Sequence, residues 1–190
     1  MLLPDWLISA SALGWLIIIA VFDIRERKVP HPVWTGVPML VAAVYRLVSG
    51  QHQMIVAAAV VAVVISERRH LQQKMLEGII LAAGILVMGW LLFTTELTGA
   101  MGIIGIIVFW ASWERKYIGG ADAMALITCL IVWPGIEFVI AYLVAGLGWS
   151  LGVRIKEGGW LKGHPSPGLA IIAAAAIFYL AYQVYRTVII

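Results

Sequence analysis

The chain is a succession of long apolar runs separated by short polar breaks. Eight runs are present, at approximately 6–22, 32–49, 53–66, 78–94, 98–113, 121–133, 136–153 and 167–186. A helix that crosses a bilayer needs about 20 mostly apolar residues, and sometimes as few as about 17. The sixth and seventh runs are continuous except at Pro134 and Gly135, where proline interrupts the helical hydrogen-bond ladder and predicts a tight turn. The pattern predicts an all-α polytopic integral membrane bundle of about eight transmembrane helices.

The polar breaks differ in charge, and the difference predicts a topology. Eleven of the thirteen Lys and Arg residues lie in alternate breaks: Arg25, Arg27, Lys28, Arg68, Arg69, Lys74, Arg115, Lys116, Arg154, Lys156 and Lys162. The intervening breaks, "SGQHQ", "TTELT" and "WPGIE", contain none. Loops rich in Lys and Arg stay in the cytoplasm, so we expect both termini on the non-cytoplasmic side. Arg46 lies near the outer end of the second run, and we expect its side chain to extend outward.

Composition agrees with a membrane protein. The chain is 63% hydrophobic and 12% charged, whereas soluble domains are about 45–50% apolar and about 25% charged. The net charge of +3 needs no nucleic-acid partner. The single cysteine, Cys129, excludes a disulfide within the chain and a cysteine zinc site. The four histidines lie in different breaks without metal-ligand spacing, so we expect no cofactor or metal. The segment "GAMGIIG" has small residues spaced for close helix packing.

Two aspartates lie at the edges of apolar runs. Asp23 directly follows "LIIIAVF", and Asp122 directly precedes "AMALITCLIVW". Carboxylates at the edge of the hydrocarbon are costly, which makes them functional candidates. Four predicted spans separate the two positions, and an even number returns the chain to the side that it left. We therefore expect both aspartates at the cytoplasmic boundary, where they are able to meet.

Two neighbouring carboxyl groups do not easily ionise together, so such a pair shares one proton. This arrangement suits amide hydrolysis, because the ionised member takes a proton from water and the protonated member donates to the carbonyl oxygen. Helix dipoles favour an anion at a helix start and disfavour one at a helix end. They assign the base to Asp122 and the acid to Asp23. Gly119, Gly120 and Ala121 are small and allow the backbone to turn and approach a partner closely.

The two stretches together resemble the type IV prepilin and preflagellin (prearchaellin) peptidases, which are membrane aspartyl proteases of the GxGD type. The first family motif is an aspartate at the end of the first helix, then basic residues, an aliphatic residue and proline. Here it reads "FDIRERKVP", with Asp23, Arg25, Val29 and Pro30. The second motif is "GGAD", Gly119 to Asp122, and a third similarity is the proline-containing segment "KGHPSPGLAII". The resemblance covers the chain from the first span to the last.

The resemblance implies a specific activity. Such enzymes remove a short basic leader from type IV pilin-like or archaellin precursors at the cytoplasmic membrane face, typically after glycine. Asp23 and Asp122 are then catalytic, and Gly119, Gly120, Ala121, Lys28 and Pro30 are expected to bind substrate or shape the site. Lys28 is also explained as a topology charge. The resemblance places the protein in the plasma membrane of a bacterium or archaeon, with precursor proteins and lipid as its partners.

The chain departs from the family pattern at several points. Ala121 stands where glycine is usual, and Met124 stands where a lysine often follows. Larger bacterial members carry an N-terminal cysteine-rich region and also methylate the new terminus, whereas this chain begins at its first span. We expect one transmembrane peptidase domain over residues 1–190. Two spans more than a minimal core needs lie between the motifs.

Two other classes of function remain open from the sequence. In a transporter, buried aspartates bind a cation, and intramembrane charges at mid-depth and inverted repeats are expected. In a non-catalytic membrane subunit, both aspartates are structural. A presenilin-type protease is a further enzyme alternative, but those proteins usually have tyrosine before the first aspartate, where this chain has Phe22.

Overall fold

The computed structural model describes residues 5–26, 33–68, 73–157 and 168–189, and the described part is helical with no strands. Its eight helices are α1 (Asp5–Glu26), α2 (Val33–Ser49), α3 (Gln53–Glu67), α4 (Lys74–Thr94), α5 (Leu97–Glu114), α6 (Gly120–Val132), α7 (Ile136–Glu157) and α8 (Gly168–Ile189). Each predicted apolar run corresponds to one helix, which confirms the all-α prediction for these residues.

The helices differ in their capacity to cross a bilayer. Within the described residues, four are long and apolar enough by themselves: Asp5–Arg25, Lys74–Thr94, Leu97–Glu114 and Gly168–Val188. The apolar parts of α2, α3, α6 and α7 are shorter. The protein is therefore a helical bundle with several membrane-spanning candidates, and the crossing of all eight helices stays a prediction.

The turn expected at Pro134 and Gly135 is present. α6 ends at Val132, α7 begins at Ile136, and no helix covers the proline. The Phe138 N–H donates to the Gly135 carbonyl oxygen at 3.3 Å, which closes the turn at the start of α7. The sixth and seventh apolar runs are thus two separate helices.

Polar contacts gather the helix ends into two groups. At one end, Arg68 after α3 pairs with Glu114 at the end of α5 and with Glu77 near the start of α4. At the other end, Arg46 near the end of α2 contacts Asp5 at the start of α1. We call these the Arg68 end and the Arg46 end. Because α5 leads into α6 within five residues, the start of α6 lies at the Arg68 end.

Helix α6 forms the centre of the bundle. Nine of its 13 residues are buried, and it packs against α1, α2, α3, α5 and α8. Two glycines of "GAMGIIG" lie at close contacts of α5. A Cβ added to Gly102 would meet Ile55 and the Pro134 carbonyl oxygen, and one added to Gly105 would meet Leu130. The small-residue spacing therefore does serve close packing around α6.

The prediction for Arg46 is wrong. Its side chain is only 8% exposed and turns inward to the end of α6. Its Nε donates to the Ile131 carbonyl oxygen at 3.1 Å, and its Nη2 donates to the Val132 carbonyl oxygen at 2.6 Å. The last carbonyl groups of a helix lack partners within the helix and carry its negative dipole end. Arg46 therefore caps the central helix instead of reaching for the interface.

Candidate active site

Asp122 lies in the first turn of α6, three residues after the N-cap Gly119. Its carboxyl group accepts a hydrogen bond from the Gly119 backbone N–H. This is the acidic half of a capping box, in which the third helical residue reaches back to the N-cap amide. Glycine has no side chain to supply the reciprocal bond, so only the bond from the Gly119 amide to the carboxyl group forms. The local sequence thus fixes Asp122 at the start of α6.

Asp23 lies in the last turn of α1, because that helix continues to Glu26 instead of ending at the first charge. Its Oδ2 accepts a hydrogen bond from the Leu169 backbone N–H at 3.3 Å. Leu169 is the second residue of α8, and the first amides of a helix have no partner within it. Asp23 therefore supplies a cap to α8 from a different helix.

Asp122 contacts the same point of α8. A Cβ added to Gly168 would overlap the Asp122 carboxyl carbon and both of its oxygens. The two carboxyl groups thus flank the Gly168–Leu169 peptide, and backbone dimensions place them at most about 10 Å apart. The charge of Asp23 acts on Asp122 at this range. The structure brings together two aspartates that are 99 positions apart (122 − 23).

Both carboxyl groups are half-buried, and each accepts one helix-terminal amide. The helix dipoles alone would make Asp122 the base, because only Asp122 was expected at a helix start. Asp23 also contacts a helix start, that of α8, and gains the same type of stabilisation for its anion. The dipoles therefore do not separate an acid from a base.

The residues before Asp122 are small because neighbouring atoms leave little room for a side chain. Their backbone torsion angles do not require glycine. Gly119 has a φ of −68°, which any residue adopts. A Cβ at Gly119 would lie 3.3 Å from an Asp122 carboxyl oxygen, and one at Gly120 would lie 3.2 Å from the Trp113 indole nitrogen. Ala121 is half-buried in the same turn. Neither glycine has a positive φ, whereas the expected close approach is present.

The remaining expectations for the site concern residues outside the described part, Met124 and metal-ligating side chains. Lys28 and Pro30 lie outside the described residues, as do the prolines of "KGHPSPGLAII". Met124, at the position where the resemblance leads us to expect lysine, is half-buried and packs against the hydrophobic core. No group of three or more metal-ligating side chains occurs in the part of the chain that the structure describes.

Gly168 is the site residue that the sequence did not identify. It lies directly after Pro167 at the start of the last apolar run, where a glycine has no distinctive chemistry. Its importance comes from a contact with Asp122, and only the packing of α8 against α6 reveals that contact.

Comparison with protein-family models, with curated proteins and with solved structures gives no match. Function is therefore inferred from the chemistry of these residues.

Proposed function

We propose that this chain is an intramembrane aspartyl endopeptidase that removes the leader peptide from type IV pilin-like or archaellin precursors. One observation carries the proposal: Asp23 and Asp122 flank one peptide group at the start of α8. The sequence stretches "FDIRERKVP" and "GGAD" supply these two residues in the order that the prepilin-type peptidases use.

The two carboxyl groups have the chemistry that peptide hydrolysis requires. In this proposal a water molecule binds between them, and the ionised carboxylate takes a proton from it as the water attacks the scissile carbonyl carbon. The protonated carboxyl group donates its proton toward the carbonyl oxygen. The backbone amides of Gly119 and Leu169 stabilise the carboxylate on which the negative charge resides.

Charge supports a cytoplasmic location for the site. Arg25, Lys74, Arg115 and Lys116 are exposed at the end of the bundle that contains the two aspartates. Positively charged residues accumulate on the cytoplasmic side of membrane proteins. A site on that side meets a precursor just before its hydrophobic helix enters the bilayer. The membrane itself is proposed to be the plasma membrane of a bacterium or archaeon.

Cleavage of a purified pilin-like precursor by the reconstituted protein tests this function. We expect Asp23→Asn and Asp122→Asn each to lower the cleavage rate by at least about 10²-fold, since each removes a proton-transferring group. Glu96→Gln is the matched control, because Glu96 is an exposed acid at the opposite end and should keep the wild-type rate. Wild-type cleavage in either aspartate variant would contradict the proposal.

A structural role for both aspartates is the second candidate, because each one caps a helix. The same substitutions separate the two candidates. Asparagine keeps an oxygen that accepts the amide hydrogen bond, so a purely structural role predicts folded proteins with little functional change. The peptidase proposal predicts folded proteins that have lost cleavage. Thermal unfolding measured beside the cleavage rate distinguishes these outcomes.

A further inference from the structure

A short turn with two backbone hydrogen bonds connects α5 to the candidate active site. The Lys116 N–H donates to the Trp113 carbonyl oxygen at 2.9 Å, and the Tyr117 N–H donates to the Ser112 carbonyl oxygen at 2.9 Å. Lys116 has a φ of +60°, so this is the left-handed C-terminal turn that closes many helices. Only residues 115–119 separate α5 from α6, and the position of α5 is transmitted directly to Asp122.

A buried ion pair fixes the last residue of α5. Arg68 Nη1 and Nη2 each donate to a different carboxylate oxygen of Glu114 at 3.0 Å. Arg68 is 8% exposed, and the Glu114 side chain is 14% exposed. Such a two-point contact defines the relative orientation of the two groups as well as their distance.

The same arginine connects two further helix ends. Its Nη1 donates to the Ile65 carbonyl oxygen at 2.6 Å, which ties it to the end of its own helix α3. Its Nε lies 3.8 Å from a Glu77 carboxylate oxygen near the start of α4. Arg68 therefore joins the ends of α3, α4 and α5 on the side of the bundle where Asp122 lies.

The indole of Trp113 connects the position of Glu114 to that of α6. Trp113 immediately precedes Glu114, and its Nε1 would lie 3.2 Å from a Cβ added to Gly120. Gly120 is the first residue of α6, two positions before Asp122. A shift of Glu114 thus moves the side chain against which the start of α6 packs.

Stability alone gives no reason for a charged pair at this point. Taking two ions out of water is costly, and well-packed apolar residues often stabilise a protein equally well or better. A pair with defined geometry does supply orientation, and orientation is what a two-carboxylate site requires.

We propose that Arg68 and Glu114 are positioning residues that hold the Asp122 carboxyl group against Asp23. This inference rests on the proposed peptidase function. It also assigns a task to the helices between the two aspartate motifs, because Arg68 directly follows α3, Glu77 lies in α4 and Glu114 ends α5.

Cleavage kinetics form the first part of the test. We expect Arg68→Gln and Glu114→Gln each to lower kcat by about 10-fold or more while KM changes less than about twofold, since misplacement by an ångström is costly. Lys74→Gln is the matched control, because Lys74 is an exposed cation at the same end of the bundle. The double variant Arg68→Met, Glu114→Leu removes the pair without leaving one buried charge alone, and it should fold but keep the lowered kcat. Wild-type kcat in this folded double variant overturns the proposal.

A thiol placed at position 122 gives a readout that needs no proteolysis. In a Cys129→Ala background, the alkylation rate of Asp122→Cys by a water-soluble maleimide reports the placement of that side chain. We expect Arg68→Gln to change this rate several-fold and Lys74→Gln to leave it unchanged. An unchanged rate in Arg68→Gln, with thermal stability alone reduced, means that the pair is structural and overturns the inference. If the wild type cleaves no precursor, the peptidase proposal fails while this measurement still decides the positioning role.

Discussion

Gly168 determines how closely α8 approaches the Asp122 carboxyl group. A methyl group at this position would overlap that carboxyl group, so the side chain or the helix must move. We expect Gly168→Ala to lower the cleavage rate by about 10²-fold, because the two carboxyl groups lose their mutual placement. Precursor cleavage by the purified variant measures this effect.

Gly148→Ala is the matched control for this substitution. Gly148 lies within α7, and a Cβ added there meets nothing within 4 Å. Its variant should cleave at the wild-type rate, since alanine is a better helix former than glycine. If Gly168→Ala were equally active, Asp122 would not depend on its contact with α8.

His52, between α2 and α3, predicts a pH effect at the opposite end of the bundle. Burial and the positive charge of Arg46 lower the pKa of its imidazole below the usual value of about 6.5, and the Asp5 carboxylate opposes this only in part. The folded state therefore binds this proton less readily than the unfolded chain does. Its stabilising contribution is present above about pH 6.5 and is lost as the pH falls through the lowered pKa.

Thermal unfolding of the wild type and of His52→Gln at several pH values measures this contribution. Between about pH 7 and about pH 5 the wild type should lose more stability than the variant. The same dependence on pH in both proteins would show that His52 does not titrate in this way.

At the level of single residues, the sequence identified the residues that stand out by their position at the edge of an apolar run. It missed the residues whose roles come from contacts in the fold. Asp23 and Asp122 stand out because a carboxylate beside an apolar run is costly wherever the chain folds. Gly168 and the Arg68–Glu114 pair gain their roles from neighbours 46 positions away in each case (168 − 122 and 114 − 68). The amino acids next to these residues in the sequence do not indicate such contacts.

Helix α6 is short for a transmembrane element, and its far end depends on Arg46. Its 13 residues extend about 20 Å, whereas the hydrocarbon is about 30 Å thick. Its last residues are buried, so their carbonyl groups need donors inside the bundle. Arg46→Met removes two such donors, and we expect the free energy of unfolding to fall by about 2–4 kcal/mol.

Denaturant titration in detergent micelles measures this loss. Arg186→Met is the comparison, since Arg186 is exposed near the end of α8 and its loss should change stability by no more than about 0.5 kcal/mol. Equal stabilities of the two variants would exclude Arg46 as the cap of α6.

The sequence predicted the helices well but made some of them too short. α1 continues past Asp23 to Glu26, and α4 begins at Lys74, four residues before the predicted start at 78. The prediction ended runs at charged residues, but a charge at an interface is solvated and does not interrupt a helix. Pro134 gave a correct boundary because proline removes a backbone donor.

On the scale of the whole molecule, the grouping of helix ends at the two ends of the bundle predicts which loops lie on the same side of the membrane. Lys74 lies at the Arg68 end, and Glu96 lies at the opposite end beyond α4. Both residues are exposed. In a Cys129→Ala background, a membrane-impermeant maleimide should label Glu96→Cys in intact cells and Lys74→Cys only after permeabilisation, as the positive-inside rule requires. Labelling of both positions from the same side would exclude a transmembrane α4.

The number of apolar runs between the two aspartates also predicted that they lie at the same end of the bundle. An even number of helices between Asp23 and Asp122 was sufficient to put them at one end of the bundle. The burial of α6 at the centre was not foreseen, because all eight apolar runs are similarly hydrophobic. Which helix lies inside depends on close approach at Gly102 and Gly105 and on the cap from Arg46.

Cross-linking of positions 23 and 122 examines whether the two acids form one site. With Asp23→Cys and Asp122→Cys in a Cys129→Ala background, a short bifunctional thiol reagent should join α1 to α6, and mass spectrometry of the linked peptides detects the product. The pair Asp5→Cys and Asp122→Cys, which spans opposite ends of the bundle, should give none. If both cysteines at 23 and 122 react singly and never with each other, the two carboxyl groups do not share a site.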